Sequence, residues 1–180
     1  MAAEGELRDR HVAKVLEHMR LENEHDFPKC IDVFGRARYE IVATGEIHDG
    51  VSGVASFLQQ NRTAFPDFRF EPTLVTPGDD AVLVEGSFTG THEGNWRGLP
   101  ATGRSVDFRM AVIFQFDGED LVGERIYFDL STPLRQLGVA RDPLTLGGQL
   151  TTALNHPVTI ARALYRAARR GLKGRTARER

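Results

Sequence analysis

The first candidate for chemistry is Asp129, a single carboxylate within an otherwise apolar and aromatic run, residues 126–130. Burial in such surroundings disfavours the charged form, so we expect the pKa of this carboxyl group to rise toward working pH. A carboxylate tuned in this way suits acid/base catalysis, in which it takes a proton from a carbon next to a carbonyl group and returns it later. The structural alternative is that Asp129 caps the turn at residues 131–133.

Four further side chains are candidates for a binding site. His92 ends a predicted strand, where it would polarise a substrate oxygen or donate a proton, although a structural histidine bonded to the hairpin backbone is the favoured alternative. Trp96 lies in a predicted loop, where it would cover a pocket, form a dimer contact or pack within the loop. Gln115 and Tyr127 are candidate hydrogen-bond donors to a substrate, whereas Tyr39 is predicted to belong to the core.

The sequence argues against several other chemistries. It has no glycine-rich dinucleotide loop, Walker loop or nucleophile elbow, and no second histidine stands at ligand spacing from His92 and Glu93. The single cysteine, Cys30, excludes an internal disulfide bond and a multi-cysteine metal site. We therefore expect no metal ion and no organic cofactor. A cytoplasmic location is expected, because neither a signal peptide nor a run of ~18 apolar residues is visible.

Helical spacing dominates the first third of the chain. Residues 7–26 and 51–64 repeat apolar side chains every three or four positions, which predicts two amphipathic helices. A short helix is predicted to end near Phe34, and residues 39–43 alternate like a strand.

From Phe68 onward the hydrophobic period is two. Four strands are predicted at residues 68–76, 81–92, 104–116 and 121–130, with hairpin turns at residues 77–80 and 117–120. Helices followed by antiparallel strands indicate an α+β domain in which helices pack on one face of a sheet.

The charge changes sign near residue 140. Residues 1–139 hold 14 Lys and Arg against 23 Asp and Glu, whereas residues 140–180 hold nine against two, so their formal charges are −9 and +7. A helix predicted from Pro157 carries an apolar stripe opposite a basic stripe. The apolar stripe is Ile160, Leu164, Ala168 and Leu172, and the basic stripe is Arg162, Arg166, Arg169 and Lys173.

This basic tail has three interpretations. It would pack on the domain or on a partner subunit, lie on an anionic membrane as a peripheral contact, or contact nucleic acid. Packing on the domain or on a partner subunit is favoured, because most amphipathic helices pack in this way. We expect no binding of nucleic acid, because the acidic body would repel phosphate. The predicted organisation is therefore a domain over residues 1–138 and a linker with a basic amphipathic helix over residues 139–180.

Two segments resemble the SnoaL-like polyketide cyclases. Residues 89–104 match that family's long hairpin, with a Gly-x-His-x-Gly pattern at residues 90–94 and Gly-x-Pro-Ala-Thr-Gly at residues 98–103. Residues 121–129, followed by Leu-x-Gln-Leu-Gly at residues 134–138, are similar to its last strand, its Asp and its closing turn. The resemblance covers residues 7–138.

The resemblance implies a cone-shaped, nuclear-transport-factor-2-like fold, in which N-terminal helices pack on a curved antiparallel sheet around a cavity. Enzymes of the family cyclise polyketide esters by aldol chemistry with a carboxylate and without a cofactor. Relatives with the same cone isomerise ketosteroids or open epoxides, and many only bind ligands, so the fold does not settle the function. The epoxide-opening relatives use Arg-x-Asp, whereas this sequence has the reverse order, Asp107-Phe-Arg109.

The surroundings of Asp129 depend on the register of the hairpin that follows Phe116. An odd number of loop residues sets Asp129 beside Asp107 and Arg109, in a polar cluster that lowers its pKa. An even number sets it opposite an apolar group, and we favour this register because a cone must bury its concave face. The apolar group is Phe108, Met110, Val112 and Phe114, of which Phe108 and Met110 are predicted to contact the ligand.

The resulting hypothesis is a cofactor-independent cyclase or isomerase that acts on a small apolar carbonyl compound through Asp129. The alternative is a non-catalytic protein of the same fold that binds a small molecule. Both faces of the last predicted strand are partly apolar, and a lone domain covers one face with its own helices. A homodimer is therefore expected.

Overall fold

The computed structural model describes residues 2–176, with side chains described for residues 4–169. The chain divides into two compact units, Met1–Leu137 and Gly138–Arg180. In the described part of the chain, no helix is both long enough and apolar enough to cross a bilayer.

The first unit consists of helices and a sheet. Its helices are α1 (Ala2–Asn23), α2 (Phe27–Asp32), α3 (Gly50–Ala64) and α4 (Ser131–Gln136). Its strands are β1 (Arg38–Ile41), β2 (Glu46–Asp49), β3 (Arg69–Pro77), β4 (Ala81–Thr91), β5 (Ser105–Asp117) and β6 (Asp120–Phe128). The α+β class with helices on a curved sheet is confirmed.

The six strands form one curved, unclosed sheet in the order β2-β1-β6-β5-β4-β3. Neighbouring strands are antiparallel except β1 and β6, which run parallel. The sheet is therefore mixed, whereas the sequence predicted an antiparallel one. The sequence analysis also missed β2, since its four residues, Glu-Ile-His-Asp, are too short and too polar to show a strand pattern.

The alternation predicted for the long strands builds the core. Val82 lies opposite Phe114, and Val84 lies opposite Val112, across β4 and β5, and all four side chains are buried. Helix α1 packs on β3 and β4, and α3 packs on β1 and β2. The helices therefore cover the concave face of the sheet, and the opposite face carries side chains such as Tyr127, which is exposed.

The second unit contains α5 (Leu146–Asn155) and α6 (Pro157–Thr176). The sequence predicted α6 but not α5, because Gly147 and Gly148 suggested a linker. Thr145 explains the additional helix, since its hydroxyl accepts a hydrogen bond from the Gly148 amide at 3.1 Å and so caps the first turn. Leu172 and Lys173 of the predicted stripes lie outside the described side chains.

Candidate active site

A cavity lies between the concave face of the sheet and helices α1 and α3. Its free volume is about 80 Å³, below the ~300–1,000 Å³ of most sites for small molecules. The cavity as it stands therefore accepts a small ligand, and a larger one requires side chains at the mouth to move. The phenylalanines on its wall are Phe57, Phe65, Phe70, Phe88, Phe108, Phe114 and Phe128. The polar side chains on its wall are Glu22, Asn23, Asn61, Arg97 and Glu124.

The sheet directs the carboxylate of Glu124 toward this cavity. On the concave face, Glu124 lies opposite Phe114, Ile126 opposite Val112, and Phe128 opposite Met110. The register then shifts, so that Gln115 pairs with Gly123 and Phe116 with Leu121, and Val122 is an extra residue in β6. This bulge places Leu121 and Glu124, three residues apart, on the same buried face.

Glu124 forms a buried pair with His18. Its Oε1 atom lies 2.5 Å from Nε2 of the imidazole, but this oxygen has no partner in hydrogen-bond geometry. Glu124 is 4% exposed and His18 is fully buried. His18 Nδ1 lies 3.1 Å from the carbonyl oxygen of Cys30 and donates to it, which fixes the ring and turns Nε2 toward the carboxylate.

Tyr39 and Glu22 complete the cluster around His18. The hydroxyl oxygen of Tyr39 lies 3.0 Å from His18 Nε2 and 3.5 Å from Oε2 of Glu22, to which it donates. Oε2 of Glu22 is also 3.5 Å from His18 Nε2. The imidazole thus faces two carboxylates, of which Glu124 is buried and Glu22 is partly exposed.

Burial and mutual charge shift the pKa values of this cluster. Burial raises the pKa of the Glu124 carboxyl group, and the nearby imidazolium opposes that rise only in part. Burial alone would lower the pKa of His18, but the charge of Glu124 and the surrounding hydrogen bonds raise it well above its ordinary value. Burial also raises the pKa of Tyr39, which keeps the phenol protonated. The arrangement can accept and release a proton at the cavity wall.

His18, Glu22 and Cys30 are close enough to share a metal ion, because their ligand atoms lie within 4.8 Å of one another. Burial raises the pKa of the Cys30 thiol to about 11 without a bound metal, so binding a metal ion here would release the thiol proton. The absence of a metal stays a prediction.

The mouth of the cavity is formed by the loop after β4. Trp96 and Arg97 line both the cavity and an open polar groove beside α3 and β2. Arg97 forms a salt bridge with Glu46 of β2, and its guanidinium lies 5.8 Å from the centre of the Trp96 ring. Gly94 permits the loop to lie on the end of α3, because a Cβ there would overlap the carbonyl oxygen of Thr63. The loop thus separates the groove from the cavity.

Asp129 lies in surroundings that differ from those predicted. Its side chain is 61% exposed, and its carboxylate accepts hydrogen bonds from the Ser131 amide at 3.0 Å and the Thr132 hydroxyl at 2.7 Å. The hydrogen bonds from Ser131 and Thr132 lower its pKa to about 2. The expected apolar surroundings and raised pKa are therefore wrong, and Asp129 caps the turn that begins α4.

The favoured turn of even length is present, since Asp117 pairs with Asp120, but it does not set Asp129 opposite the apolar group. Met110 pairs with Phe128, so the next residue, Asp129, falls on the face that carries Asp107 and Arg109, away from the cavity. The extra residue Val122 in β6 accounts for the difference, since one inserted residue exchanges the two faces of a strand.

His92 is buried but does not line the cavity. Its Nδ1 atom lies 3.1 Å from the Thr102 hydroxyl, and its ring stacks on Phe65 with 5.2 Å between centroids. Its backbone closes the hairpin, because the amide of His92 donates to the carbonyl of Arg104 and the amide of Gly103 donates to the carbonyl of His92. Burial lowers the pKa of its imidazole. These contacts fit the alternative interpretation of His92 as a structural residue of the hairpin.

The predicted ligand contacts divide between the two faces of the sheet. Trp96, Phe108 and Met110 line the cavity. Gln115 and Tyr127 do not, because Gln115 pairs with Gly123 and Tyr127 with Ala111 in the alternate positions of β5 and β6. Both therefore belong to the convex face.

The sequence analysis did not identify Glu124, His18 or Glu22 as site residues. A signal for Glu124 was present, since it stands in phase with Ile126 and Phe128 and places a charge among buried positions. His18 directly precedes Met19 on the buried side of α1. Tyr39 was predicted to be in the core, and it is fully buried there.

The family model of SnoaL-like polyketide cyclases matches residues 12–137. No curated protein matches the sequence.

Several solved structures share the fold. AclR from Streptomyces galilaeus superimposes with a TM-score of 0.65 at 19% identity, over 74% of this chain and 99% of that chain. A phenazine biosynthesis-related protein from Pseudomonas aeruginosa also gives 0.65, at 18% identity, over 82% and 97% of the respective chains. A SnoaL-like protein from Jannaschia sp. CCS1 gives 0.61 at 22% identity, over 76% and 96%. At these identities the likeness concerns the fold alone.

Proposed function

Since the chain belongs to the SnoaL-like polyketide cyclase family, we propose that it cyclises or isomerises a small apolar carbonyl compound without a cofactor, with Glu124 as the acid/base. The observation that carries this proposal is the buried contact between Glu124 and His18 at the wall of a largely aromatic cavity. A water-poor cavity strengthens the interactions of such a pair with a bound substrate.

In the proposed mechanism, the Glu124 carboxylate removes a proton from the carbon next to the substrate carbonyl. The electron pair of the C–H bond moves into an enolate, and Glu124 becomes a neutral acid. In an isomerisation, Glu124 returns the proton to another carbon of the same system. In an aldol cyclisation, the enolate carbon attacks a second carbonyl group, a C–C bond forms, and the resulting alkoxide takes the proton from Glu124.

His18 acts as a positioning residue in this mechanism. As an imidazolium it stabilises the Glu124 carboxylate before the proton is taken. When Glu124 is neutral, the imidazolium still has Glu22 at 3.5 Å, so the charge on His18 stays compensated during the reaction.

The enolate oxygen requires hydrogen-bond donors on the cavity wall. Asn61 and Arg97 supply such groups. Asn23 also lines the cavity, but its amide is bonded to the backbone of Phe70, with its oxygen accepting at 2.8 Å and its nitrogen donating at 2.9 Å. We assign Asn61 and Arg97 to substrate orientation and Asn23 to holding α1 against β3.

The test begins with a panel of small ketones and β-keto esters, screened by the rise in melting temperature that ligand binding causes. For each hit, exchange of the α-hydrogen for deuterium is followed by NMR in the presence of wild-type protein, Glu124→Gln or Asp129→Asn. We expect Glu124→Gln to slow exchange by roughly a hundredfold or more, the scale of a lost general base. Asp129→Asn removes a carboxylate of the exposed turn and is expected to leave exchange unchanged. Unaltered exchange in Glu124→Gln, or its loss in Asp129→Asn, would contradict the assignment of Glu124.

A non-catalytic binding protein of the same fold is the second candidate. It is favoured by the small free volume of the cavity and by the partners that already compensate Glu124. The same experiment separates the two, because a binding protein raises its melting temperature with a ligand but accelerates no exchange above the buffer rate.

A further inference from the structure

The second unit presents an unusual apolar surface. Leu146, Leu150 and Leu154 of α5 follow one another at intervals of four and so lie along one face of the helix. They are 86%, 63% and 72% exposed, respectively. Because these three leucines lie one turn apart on the exposed face of a ten-residue helix, they form a contiguous apolar patch rather than isolated surface positions.

The less exposed side of α5 carries polar side chains. Thr151 and Thr152 are half-buried, and their hydroxyls donate to the carbonyls of Gly147 and Gly148 at 2.9 Å. The polar threonines thus occupy the inner side of the helix and the leucines the outer side, the reverse of the usual arrangement in water. An apolar partner on the outer side would remove the leucines from water.

Helix α6 adds a basic face to the same unit. Helical spacing places Arg162, Arg166 and Arg169 together on one side of α6. The exposed Leu164 lies on the opposite side, whereas the exposed Val158 and Tyr165 lie at the edge of the arginine sector. Apart from Asp142 and Glu179, every charged residue between positions 140 and 180 is Lys or Arg. An apolar face beside a cationic face is the pattern of helices that lie in the headgroup region of a bilayer.

We propose that α5 and α6 form a docking surface for an anionic lipid bilayer, with the leucines in the acyl boundary and the arginines at the lipid headgroups. Charge complementarity selects an anionic over a neutral bilayer. The leucine stripe selects a lipid surface over nucleic acid, whose binding rests on charge and stacking rather than on aliphatic side chains. The proposal is independent of the chemistry assigned to Glu124.

The test is sedimentation of the full chain with vesicles of phosphatidylcholine and with vesicles that also contain phosphatidylglycerol. We expect sedimentation with the anionic vesicles only, and a decrease as salt is raised. The variant Leu146→Ser/Leu150→Ser/Leu154→Ser, and separately Arg162→Gln/Arg166→Gln/Arg169→Gln, are each expected to weaken binding at least tenfold. The control is Leu74→Ser, which removes an exposed leucine of β3 and is expected to bind like the wild type.

Circular dichroism shows whether each variant keeps the helix content of the wild type. Equal binding of the triple-leucine variant, or no sedimentation of the wild type, would overturn the proposal. Self-association in the absence of vesicles, lost in the triple-leucine variant, would show that a second copy covers the leucines and would also overturn it.

Discussion

His18 Nε2 and Glu124 Oε1 approach to 2.5 Å inside the core, although one group belongs to the first helix and the other to the last strand. The pKa values of both groups are raised in the folded protein. The folded state therefore binds protons at this site more tightly than the unfolded chain does.

This relationship predicts how stability depends on pH. The contribution of Glu124 is fully present below its ordinary pKa of 4.5, and that of His18 below 6.5. Each contribution is lost as the pH rises from the ordinary pKa through the raised value of the folded state. We expect the free energy of unfolding, measured with denaturant at a series of pH values, to fall from about pH 4.5 upward as Glu124 loses its contribution, with the loss from His18 added above pH 6.5.

The double variant Glu124→Gln/His18→Gln supplies the comparison for this measurement. It lacks both titrating groups, so its stability is expected to change less with pH over the same range, whatever its absolute stability. Parallel pH profiles for the wild type and the double variant would show that the pair does not titrate as described.

For Asp129, the stability contribution changes with pH in the opposite direction. Its pKa is lowered to about 2 from an ordinary value of 3.8, so its stabilising contribution is present above pH 3.8 and is lost as the pH falls toward 2. We expect Asp129→Asn to lower the melting temperature modestly at neutral pH, because the hydrogen bonds from Ser131 and Thr132 to the carboxylate are weakened. Thermal unfolding at pH 7 and near pH 2 checks this, and an equal difference at both pH values would argue against the cap.

The loop at the mouth of the cavity can be followed by fluorescence, because Trp96 is the sole tryptophan of the chain. Arg97→Gln removes the salt bridge to Glu46 and the contact between the guanidinium and the indole ring. We expect the loop to open more often, so that quenching of Trp96 fluorescence by acrylamide increases severalfold. Arg36→Gln, which removes an exposed ion pair to Asp49 at the other end of β2, serves as the control and is expected to be quenched like the wild type. Identical quenching of all three proteins would mean that the salt bridge does not hold the loop.

The convex face of the sheet leads to the prediction of a homodimer. Tyr127 is exposed there, and Leu83 and Ile113 on the same face are only half-buried, so a second copy would cover apolar surface that the helices leave open. We expect light scattering to report a dimer at micromolar concentration and Tyr127→Glu to shift the protein toward the monomer. A wild-type monomer under these conditions would contradict the prediction.

The long strands β4 and β5 were predictable because buried positions recur at every second residue along much of their 11 and 13 residues, which is a strong signal. The candidate site was harder to predict from the sequence, because one extra residue, Val122, decides which of Glu124 and Asp129 faces the helices. Both carboxylates stand in apolar stretches of β6 or just beyond it, and they are five residues apart, so they belong to opposite faces. The contact with His18 could not be derived either, because it depends on how α1 crosses the sheet.

The parallel pairing of β1 with β6 has a kinetic consequence. Strands β4, β5 and β6 are successive in the chain and pair with their sequence neighbours, whereas Glu40 meets Arg125 across 85 positions. Closing so long a loop is entropically costly, and contacts of high sequence separation slow folding. Tyr39 is synthesised with β1, and His18 is synthesised earlier, with α1. A ribosome-bound chain that has not yet extruded β6 therefore lacks Glu124 and its partner strand, and the proton-transfer cluster can assemble only after nearly the whole domain has been synthesised.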